Sequence, residues 1–379
     1  MDEARRGRPA VDGTAALAVA EALLVNPTVP FVEDLPVAHV LAEAARLGLA
    51  AGRDAAGNVL VRYEGEGADL ARPLVLVAHL DHPGFAVTAA DGDTIELEFR
   101  GGLLAPNALP GSPLHLFERG EVQPVGEAVL ATATEEGGRL TGGTATRLTG
   151  RIPGDGFAMW GFPGFEVVDG LITGRVCDDL LGAAAALACL TEVASLAPAG
   201  VAVWGLFTRA EEVGFLGALE AIRLGTVPTG ADVLSLECSK ALADAPQGGG
   251  VIVRVGDRMS TFDPGLTAAL TAAAATLTTA DPGFRSQRRL MDGGSCEATA
   301  FCAAGYRASG LALPLGGYHN ASDGEPGIVP ETVRVDDYLA EVRLLVELAT
   351  HPELLRPDPG PPPWFVERSA AARAALGAT

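Results

Sequence analysis

Histidines and carboxylates that follow predicted strands are the residues of this chain best suited to chemistry. His79 and Asp81 end the apolar segment VLVAHLDH, and residues i and i+2 of a strand point to the same face. A carboxylate in that position can accept one ring N–H and leave the other ring nitrogen free for a metal ion. The alternative interpretation is a histidine capped by an aspartate at the end of a strand, with no metal.

Two pairs of adjacent acidic residues lie at predicted strand-to-helix junctions. Asp178 and Asp179 follow the segment GRVC and open a long apolar helix, and Glu211 and Glu212 lie in LFTRAEEVGFLGA. Either pair could simply favour a helix N-terminus. A carboxylate can also bridge two cations, and metal-assisted hydrolysis needs a carboxylate ligand together with a separate carboxylate base. Neighbouring residues that point in different directions can supply both.

Two further candidates complete the set. Glu237 ends the apolar segment LSLECS, and His319 lies in the loop segment GGYHNASDGEPG. A loop salt bridge and a solvated histidine would explain these two residues if each stood alone. Together, two imidazoles and three carboxylates can fill two metal shells and leave room for water. Nitrogen and oxygen ligands of this kind suit zinc, cobalt or manganese.

Composition and charge exclude several classes of partner. The chain has 379 residues, with 48 Asp and Glu against 27 Lys and Arg, which gives a net charge of −21. Such a surface repels phosphate backbones and anionic lipid, so neither nucleic acid nor a membrane is expected as a partner. The five cysteines form no CxxC pair, and the chain shows no signal peptide and no long apolar run. These features predict a cytoplasmic protein with reduced thiols.

The elements that must position these residues alternate between helix and strand. This alternation predicts a discontinuous α/β domain at 1–86 and 171–358, with a mostly parallel sheet flanked by helices. Between 87 and 170 helical patterns vanish and short segments recur between turns. That pattern predicts an inserted small antiparallel β-barrel domain. Residues 359–379 form a Pro-rich linker and tail.

In order and in residue content, the motifs resemble those of the glutamyl/tetrahedral (deblocking) aminopeptidase family of dinuclear zinc metallopeptidases. The matching segments run in family order over most of the chain: DAAGNVLV, VAHLDHPGFAV, GRVCDDLLGAAAAL, FTRAEEVGFLGA, DVLSLE, MDGGSCEA and GGYHNASD. The predicted barrel also sits where that family carries an insertion. The resemblance implies a zinc-exopeptidase-like fold and an enzyme that removes N-terminal residues from peptides. It also implies two divalent metal ions per subunit, zinc first and cobalt or manganese as alternatives, and a homo-oligomer.

The same resemblance implies roles for individual residues. One metal ion would be bound by His79 and the other by His319, and Asp178 would bridge them, with a cis Asp178–Asp179 peptide as in related enzymes. Glu212 and Glu237 would each bind one metal ion. Glu211 would be the general base that activates a metal-bridged water and later the acid for the departing amine. Asp81 would orient His79.

The chain also departs from the family pattern near the implied site. His82 replaces a usual Glu, Leu180 replaces a usual Arg, and GGSCEA, with Cys296 and Glu297, replaces a Gly-Thr-Asp pattern. These changes keep two alternatives open. One is a related metal-dependent carboxypeptidase, dipeptidase or N-acyl amino-acid deacylase, and the other is a non-catalytic scaffold.

Overall fold

The apolar strands of the α/β pattern pair into one large mixed sheet. The computed structural model describes residues 11–356 and 363–377. In pairing order the strands are β1 (Ala50–Arg53), β2 (Val59–Glu64), β12 (Ala202–Thr208), β3 (Leu74–His79), β13 (Asp232–Ser235), β17 (Arg307–Leu315), β15 (Val251–Asp257) and β16 (Ser286–Met291), and the short β14 (Cys238–Lys240) pairs with β17. The central run β12, β3, β13 and β17 is parallel throughout.

Helices cover both faces of this sheet, as the predicted fold class requires. They are α1 (Gly13–Leu24), α2 (Asp34–Arg46), α3 (Leu180–Leu196), α4 (Leu216–Leu224), α5 (Pro264–Ala280), α6 (Glu297–Ala303) and α7 (Val335–Thr350). An eighth helix, α8 (Pro363–Leu376), is largely exposed. Alternate residues of β3 point to opposite faces of the sheet. Leu76 packs in the core with α1, α3, α5 and α7, whereas Val77 packs with α4 and α6. Helix α3 is rich in alanine and buried on most sides, which lets it approach β3 closely.

The inserted segment closes into an antiparallel barrel. Its strands, in pairing order, are β4 (Gly84–Asp91), β5 (Thr94–Arg100), β8 (Arg139–Gly150), β7 (Gly126–Glu136), β6 (Pro113–Glu118) and β9 (Gly156–Trp160). In the β5 sequence TIELEFR buried and exposed residues alternate, as expected of a barrel wall with one face inside. Phe85, Leu114 and Trp160 lie in the barrel's own core. The predicted fold class, an α/β sheet interrupted by a small barrel, is confirmed.

A small third sheet pairs two strands that follow the barrel with one strand that precedes α7. It contains β10 (Glu166–Val168), β11 (Leu171–Gly174) and β18 (Glu331–Arg334). The division into domains at 86/87, 170/171 and 358/359 stays a prediction. Of the predicted tail, residues 359–362 and 378–379 lie outside the described residues.

Hydropathy gives no indication of a membrane span. Among residues 11–356 and 363–377, every helix is too short or too polar to cross a bilayer.

Candidate metal centre

Four neighbouring strands deliver the candidate residues to one edge of the sheet. His79 is the last residue of β3, Glu211 and Glu212 follow β12, Glu237 follows β13, and His319 lies in a short turn after β17. Because these strands are adjacent and parallel, their carboxyl ends meet at the same edge, where open α/β sheets bind ligands.

Asp178 reaches this edge from a different direction. Strand β11 already ends at Gly174, so the segment GRVC is a loop instead of the predicted strand. The loop leads through a cis Asp178–Asp179 peptide into α3, which confirms the expected cis bond. Asp179 stands at the N-cap position without a side-chain cap hydrogen bond.

The two carboxylate oxygens of Asp178 face the two histidines. Asp178 Oδ1 lies 3.7 Å from His79 Nε2, and Asp178 Oδ2 lies 3.6 Å from His319 Nε2. Three groups of potential ligand atoms contain Asp178, and two of them include a histidine: one with His79 and Glu237, the other with Glu212 and His319. Within each group the ligand atoms lie within 4.8 Å of one another. A carboxylate placed in this way can bridge a pair of cations.

Backbone carbonyls orient both histidine rings. His79 Nδ1 lies 3.0 Å from the carbonyl oxygen of Asp81, and His319 Nδ1 contacts the carbonyl oxygen of Gly102, in the barrel. A carbonyl can only accept, so each Nδ1 carries a proton, and each Nε2 can offer its lone pair to a metal ion that displaces the proton held there. Both Nε2 atoms point to Asp178 and are available as metal ligands.

The carboxylate of Asp81 has a different contact from the one expected. It accepts the backbone N–H of Glu211 (2.9 Å) and of Glu212 (3.1 Å), whereas its Oδ1 is 3.7 Å from His79 Nδ1. Strand β3 ends at His79, so the i, i+2 rule no longer applies at Asp81. Asp81 thus contacts His79 through its carbonyl and holds the segment of Glu211 and Glu212 through its side chain.

The electrostatics of the cluster are dominated by an excess of buried carboxylates. Burial alone would lower the pKa of His79, but the surrounding carboxylates, Asp81 and Asp178 foremost, raise it to about 9. Burial would raise the pKa of Glu212, yet His319 lowers it to about 2. Burial, reinforced by Glu212 and Glu237, raises the pKa of Glu211 well above its usual range. The site therefore attracts positive charge, either as protons or as a metal ion.

The donor set fits a pair of divalent cations. Asp178 Oδ1 and Glu212 Oε1 are buried and, among the described residues, accept no well-aligned hydrogen bond; their nearest partners are His79 Nε2 at 3.7 Å and His319 Nε2 at 3.2 Å. Buried carboxylate oxygens that face imidazole nitrogens across such distances offer a cation ligands from both sides. Imidazole nitrogen and carboxylate oxygen are the ligands that zinc and its neighbours bind.

Glu331 is a residue of this site that the sequence analysis missed. Its buried carboxylate accepts the backbone N–H of Cys177 (2.7 Å), Asp178 (3.0 Å) and His319 (2.9 Å). It thereby ties together the backbone of two candidate ligands, and it holds His319 at a left-handed φ of 54°. Its only sequence signal is an acid in the otherwise ordinary strand segment ETVR.

The residues that depart from the family pattern lie around the centre and not within it. His82 is buried, with its Nδ1 2.6 Å from the carbonyl oxygen of Asp178 and its Nε2 3.1 Å from Asn320 Oδ1. Leu180 and Cys296 are buried in apolar surroundings. Glu297 is also buried and accepts the Thr208 hydroxyl at 2.5 Å.

A cavity of about 810 Å³ opens above the cluster. The candidate residues form its floor, and the barrel contributes Gly102, Leu104 and Arg139 to its wall. A volume of this size suits a short peptide. The arrangement combines ligand atoms for two cations, a further carboxylate at Glu211 and space for a substrate.

Known proteins of similar sequence and fold carry related chemistry. The model of the M42 glutamyl aminopeptidase family matches residues 154–323. No curated protein matches the chain in sequence.

Three solved structures illustrate the likeness in fold. A TET aminopeptidase from a marine sediment archaeon of the Thaumarchaeota has a TM-score of 0.73 and 17% identity, over 90% of this chain and 99% of that one. An aminopeptidase from Desulfurococcus kamchatkensis has a TM-score of 0.72 and 16% identity, over 92% and 99% of the two chains. The Pyrococcus horikoshii TET1 peptidase, which assembles into a tetrahedron or an octahedral shell, has a TM-score of 0.69 and 19% identity, over 88% and 99%.

At such low sequence identities the solved structures show only a shared fold. The family match indicates a peptidase that uses divalent metal ions. Both agree with the resemblance seen in the motifs: over residues 154–323 the chain is similar to the M42 glutamyl aminopeptidase family, and the findings support a peptidase.

Proposed function

We propose that this peptidase is a dinuclear metal-dependent aminopeptidase that removes N-terminal residues from peptides. The observation that carries the proposal is the pair of ligand groups that share Asp178, with Glu211 beside them as an additional carboxylate. A single metal ion would not need a carboxylate whose two oxygens face two separate histidines.

Five residues would hold the cations. His79 and Glu237 would bind one, Glu212 and His319 the other, and Asp178 both; zinc is the first expectation, with cobalt or manganese as alternatives. Bound cations of this kind lower the pKa of water and polarise a carbonyl group. Asp81 and Glu331 would keep the ligands in place through the backbone N–H groups that they accept.

Glu211 would move the proton in the reaction. Its Oε2 lies 3.8 Å from His79 Nε2, at the floor of the cavity. Burial among other carboxylates raises its pKa in the metal-free protein, and bound cations would lower that pKa again and keep Glu211 in the ionised form that a base needs. As a base, Glu211 accepts a proton from the attacking water; as an acid, it returns that proton to the departing amine.

The bound cations would favour substrates with a free N-terminus. Two divalent cations balance the charge of the four carboxylates Asp178, Glu211, Glu212 and Glu237, and the lone pair of a free amino group can serve as a ligand to a cation. The nitrogen of an acylated N-terminus shares its lone pair with the acyl carbonyl and cannot bind in this way.

We further propose that the chain forms a homo-oligomer. The support comes from the two Pyrococcus horikoshii TET1 structures, one described as a dodecamer and the other as a tetrahedron or octahedral shell. Sedimentation velocity on the purified protein tests this point independently of catalysis.

The decisive experiment uses protein that has been depleted of metal and then reloaded with zinc, cobalt or manganese. A peptide mixture with free and acetylated N-termini is digested, and the products are followed by mass spectrometry. Metal-dependent, stepwise loss of residues from free N-termini is the expected result. Release of acetate or of C-terminal residues would instead support a deacylase or a carboxypeptidase, and no cleavage with any metal would contradict the proposed function.

A further inference from the structure

Tyr318 carries a hydroxyl group without a partner at the candidate metal centre. The chain has four tyrosines, and three of them donate their hydroxyl to a backbone carbonyl oxygen at 2.9 Å: Tyr63, Tyr306 and Tyr338. The hydroxyl of Tyr318 makes no hydrogen bond to any residue within 11–356 and 363–377, although its side chain is partly buried against the main core. Buried tyrosines usually satisfy their hydroxyl, so the one at Tyr318 is available to a ligand.

The turn that carries Tyr318 fixes the position of its ring. Gly317, before it, has a φ of +71°, and a Cβ atom there would lie 2.6 Å from the carbonyl oxygen of Pro330. His319, after it, donates its backbone N–H to Glu331 at 2.9 Å. The rings of Tyr318 and His319 stack, with centres 3.8 Å apart and planes inclined by 22°. The phenol therefore lies directly beside a candidate metal ligand.

Tyr318 also borders the space where a substrate would lie. It lines both the cavity of about 810 Å³ above the cluster and an adjoining recess of about 170 Å³. Burial raises the pKa of its hydroxyl well above the usual range, and the charges of Asp178 and Glu212 raise it further, so the hydroxyl lies within reach of these carboxylates. Its capacity as a donor does not depend on this shift, since an ordinary phenol carries its proton at neutral pH.

Hydrolysis of an amide bond creates a need for such a donor. When water attacks the carbonyl carbon, an electron pair of the C=O bond moves to the oxygen, which becomes negatively charged. A donor that is already in place stabilises this charge more than it stabilises the neutral carbonyl of the bound substrate. Removal of one such donor slows an enzyme by about 100- to 1,000-fold.

We propose that Tyr318 is a further catalytic residue, whose hydroxyl donates a hydrogen bond to the carbonyl oxygen of the scissile bond. The proton stays on Tyr318 throughout. The electron pair returns from the oxygen to restore the C=O bond when the C–N bond breaks, and Glu211 delivers the proton to the departing amine. This role rests on the proposed function, because it needs an amide bond that is attacked in the cavity.

The competing role for Tyr318 is to support His319 by stacking, with a hydroxyl that meets only water. The two roles belong to different parts of the side chain, since the ring stacks and the hydroxyl donates. Tyr318→Phe removes the hydroxyl and keeps the ring, whereas Tyr318→Leu removes both. The first variant therefore tests the donor, and the second tests the stacking.

The kinetic test compares both variants with zinc-loaded wild-type protein on a peptide with a free N-terminus. In Tyr318→Phe we expect kcat to fall about 100-fold, with KM and metal content within about twofold of wild type, because the hydroxyl acts on the charged oxygen. Tyr318→Leu should lose metal affinity as well, because His319 loses its stacked neighbour. The matched control is Tyr63→Phe, which removes a hydroxyl on β2 beside the start of β12, at the opposite edge of the sheet, and should keep wild-type kcat.

Two kinetic outcomes would overturn the proposal. Equal kcat in wild type and Tyr318→Phe would show that the hydroxyl is idle. A higher KM with unchanged kcat would indicate a contact that substrate and transition state share equally. A loss of metal in Tyr318→Phe as large as that in Tyr318→Leu would also contradict it, since the hydroxyl would then serve the metal ligands.

A binding measurement separates this role from the proposed function. Aminomethylphosphonate carries a tetrahedral, negatively charged group where a substrate has its scissile carbonyl, and methylamine lacks that group. Neither has a side chain that a specificity pocket could select. Both are titrated calorimetrically into zinc-loaded wild-type protein, Tyr318→Phe and Tyr63→Phe.

Phosphonate binding that is at least about tenfold weaker in Tyr318→Phe alone, with methylamine unchanged, would support the donor even if no peptide were cleaved; a charged hydrogen bond has about this value. Equal phosphonate affinity in the three proteins, together with normal aminopeptidase activity of the wild type, would contradict the donor and leave the proposed function intact. A wild type that neither binds the phosphonate nor cleaves peptides would overturn both.

Discussion

At the scale of single residues, the candidate centre depends as much on acceptors of backbone N–H groups as on its ligands. Asp81 holds the segment that carries Glu211 and Glu212, and Glu331 holds Asp178 and His319. Asp81 accepts the N–H groups of two adjacent residues, whereas Glu331 accepts N–H groups from two separate segments of the chain. Such contacts would keep the proposed metal ligands in place.

The clearest prediction for a single residue concerns Glu211. Glu211→Gln removes the proton carrier and keeps the size of the side chain. We expect kcat to fall about 100- to 10,000-fold, the usual contribution of a general base, with KM and metal content close to wild type. Steady-state kinetics and elemental analysis check this. Near-normal turnover would exclude Glu211 as the base.

A second residue-scale prediction concerns Glu341, on α7 beneath the site. Both its carboxylate oxygens are buried and accept no hydrogen bond from the described part of the chain. Burial, with a smaller effect of Glu237, raises its pKa well above 4.5. Its folded-state pKa is therefore higher than its unfolded-state pKa, so the folded state loses stability relative to the unfolded state as the pH rises above about 4.5.

Glu341→Gln should consequently raise the free energy of unfolding at pH 8 by on the order of 1 to 3 kcal/mol. The gain should vanish near pH 4, where both states carry the proton. Chemical denaturation at the two pH values measures it, with the exposed Glu121→Gln as a control that changes little at either pH. A variant less stable than the wild type at pH 8 would refute this reasoning.

At the scale of elements, the inserted barrel is part of the candidate centre. Its loop after β5 places the Gly102 carbonyl against His319 Nδ1, and Leu104 and Arg139 line the cavity. Gly101 makes this close approach possible. Its φ is +118°, and a Cβ atom there would lie 2.7 Å from Pro83 Cβ.

Gly101→Ala should therefore displace the loop and loosen His319. We expect metal affinity to fall about 10- to 100-fold, as for other losses of a contact that orients a ligand, and turnover to fall with it. Calorimetric titration with zinc measures the affinity. Gly111→Ala is the matched control, since Gly111 also has a positive φ (+90°) in the barrel but its Cβ would meet no atom within 4 Å. Equal metal affinity in the two variants would show that the loop does not orient His319.

At the scale of the whole molecule, the proposed metal binding would be linked to stability. The candidate centre joins residues from the ends of β3, β12, β13 and β17 to Asp178, so a bound cation would hold the sheet, α3 and the turn of His319 together. It would also neutralise carboxylates that repel one another when they are buried.

Removal of metal should therefore lower the melting temperature. A free metal concentration of 100 times Kd stabilises by about 2.7 kcal/mol per site, which is roughly 3 °C for a chain of this length. Scanning calorimetry before and after chelation, and after zinc is restored, measures the shift. His79→Ala and His319→Ala should each reduce it, whereas His351→Ala, outside the candidate site, should retain it. An unchanged melting temperature after chelation would contradict a metal centre that joins these elements.

Much of the fold was predictable from local patterns. Apolar runs such as LVLVAH and the alternation in TIELEFR indicate a buried parallel strand and a barrel wall, because burial of side chains sets these periods. Most of the candidate site was predictable too, since every metal-ligand candidate except Asp178 follows a strand whose carboxyl end lies at one edge of the sheet. The match of residues 154–323 to the M42 family model agrees with the resemblance of the motifs.

Other features were decided only by the tertiary structure. The acceptor of His319 is the carbonyl of Gly102, and every residue has such a carbonyl, so no sequence pattern could single it out. Glu331 looks like an ordinary member of a strand until other segments surround it. The carboxylate of Asp81 accepts the backbone N–H of Glu211 and not a proton of His79, because β3 ends at His79, two residues before Asp81. The sequence by itself determined which residue types were available and which strand ends would carry them. Their partners are contacts between distant segments, and such contacts exist only once the sheet, the barrel and the connecting loops have come together.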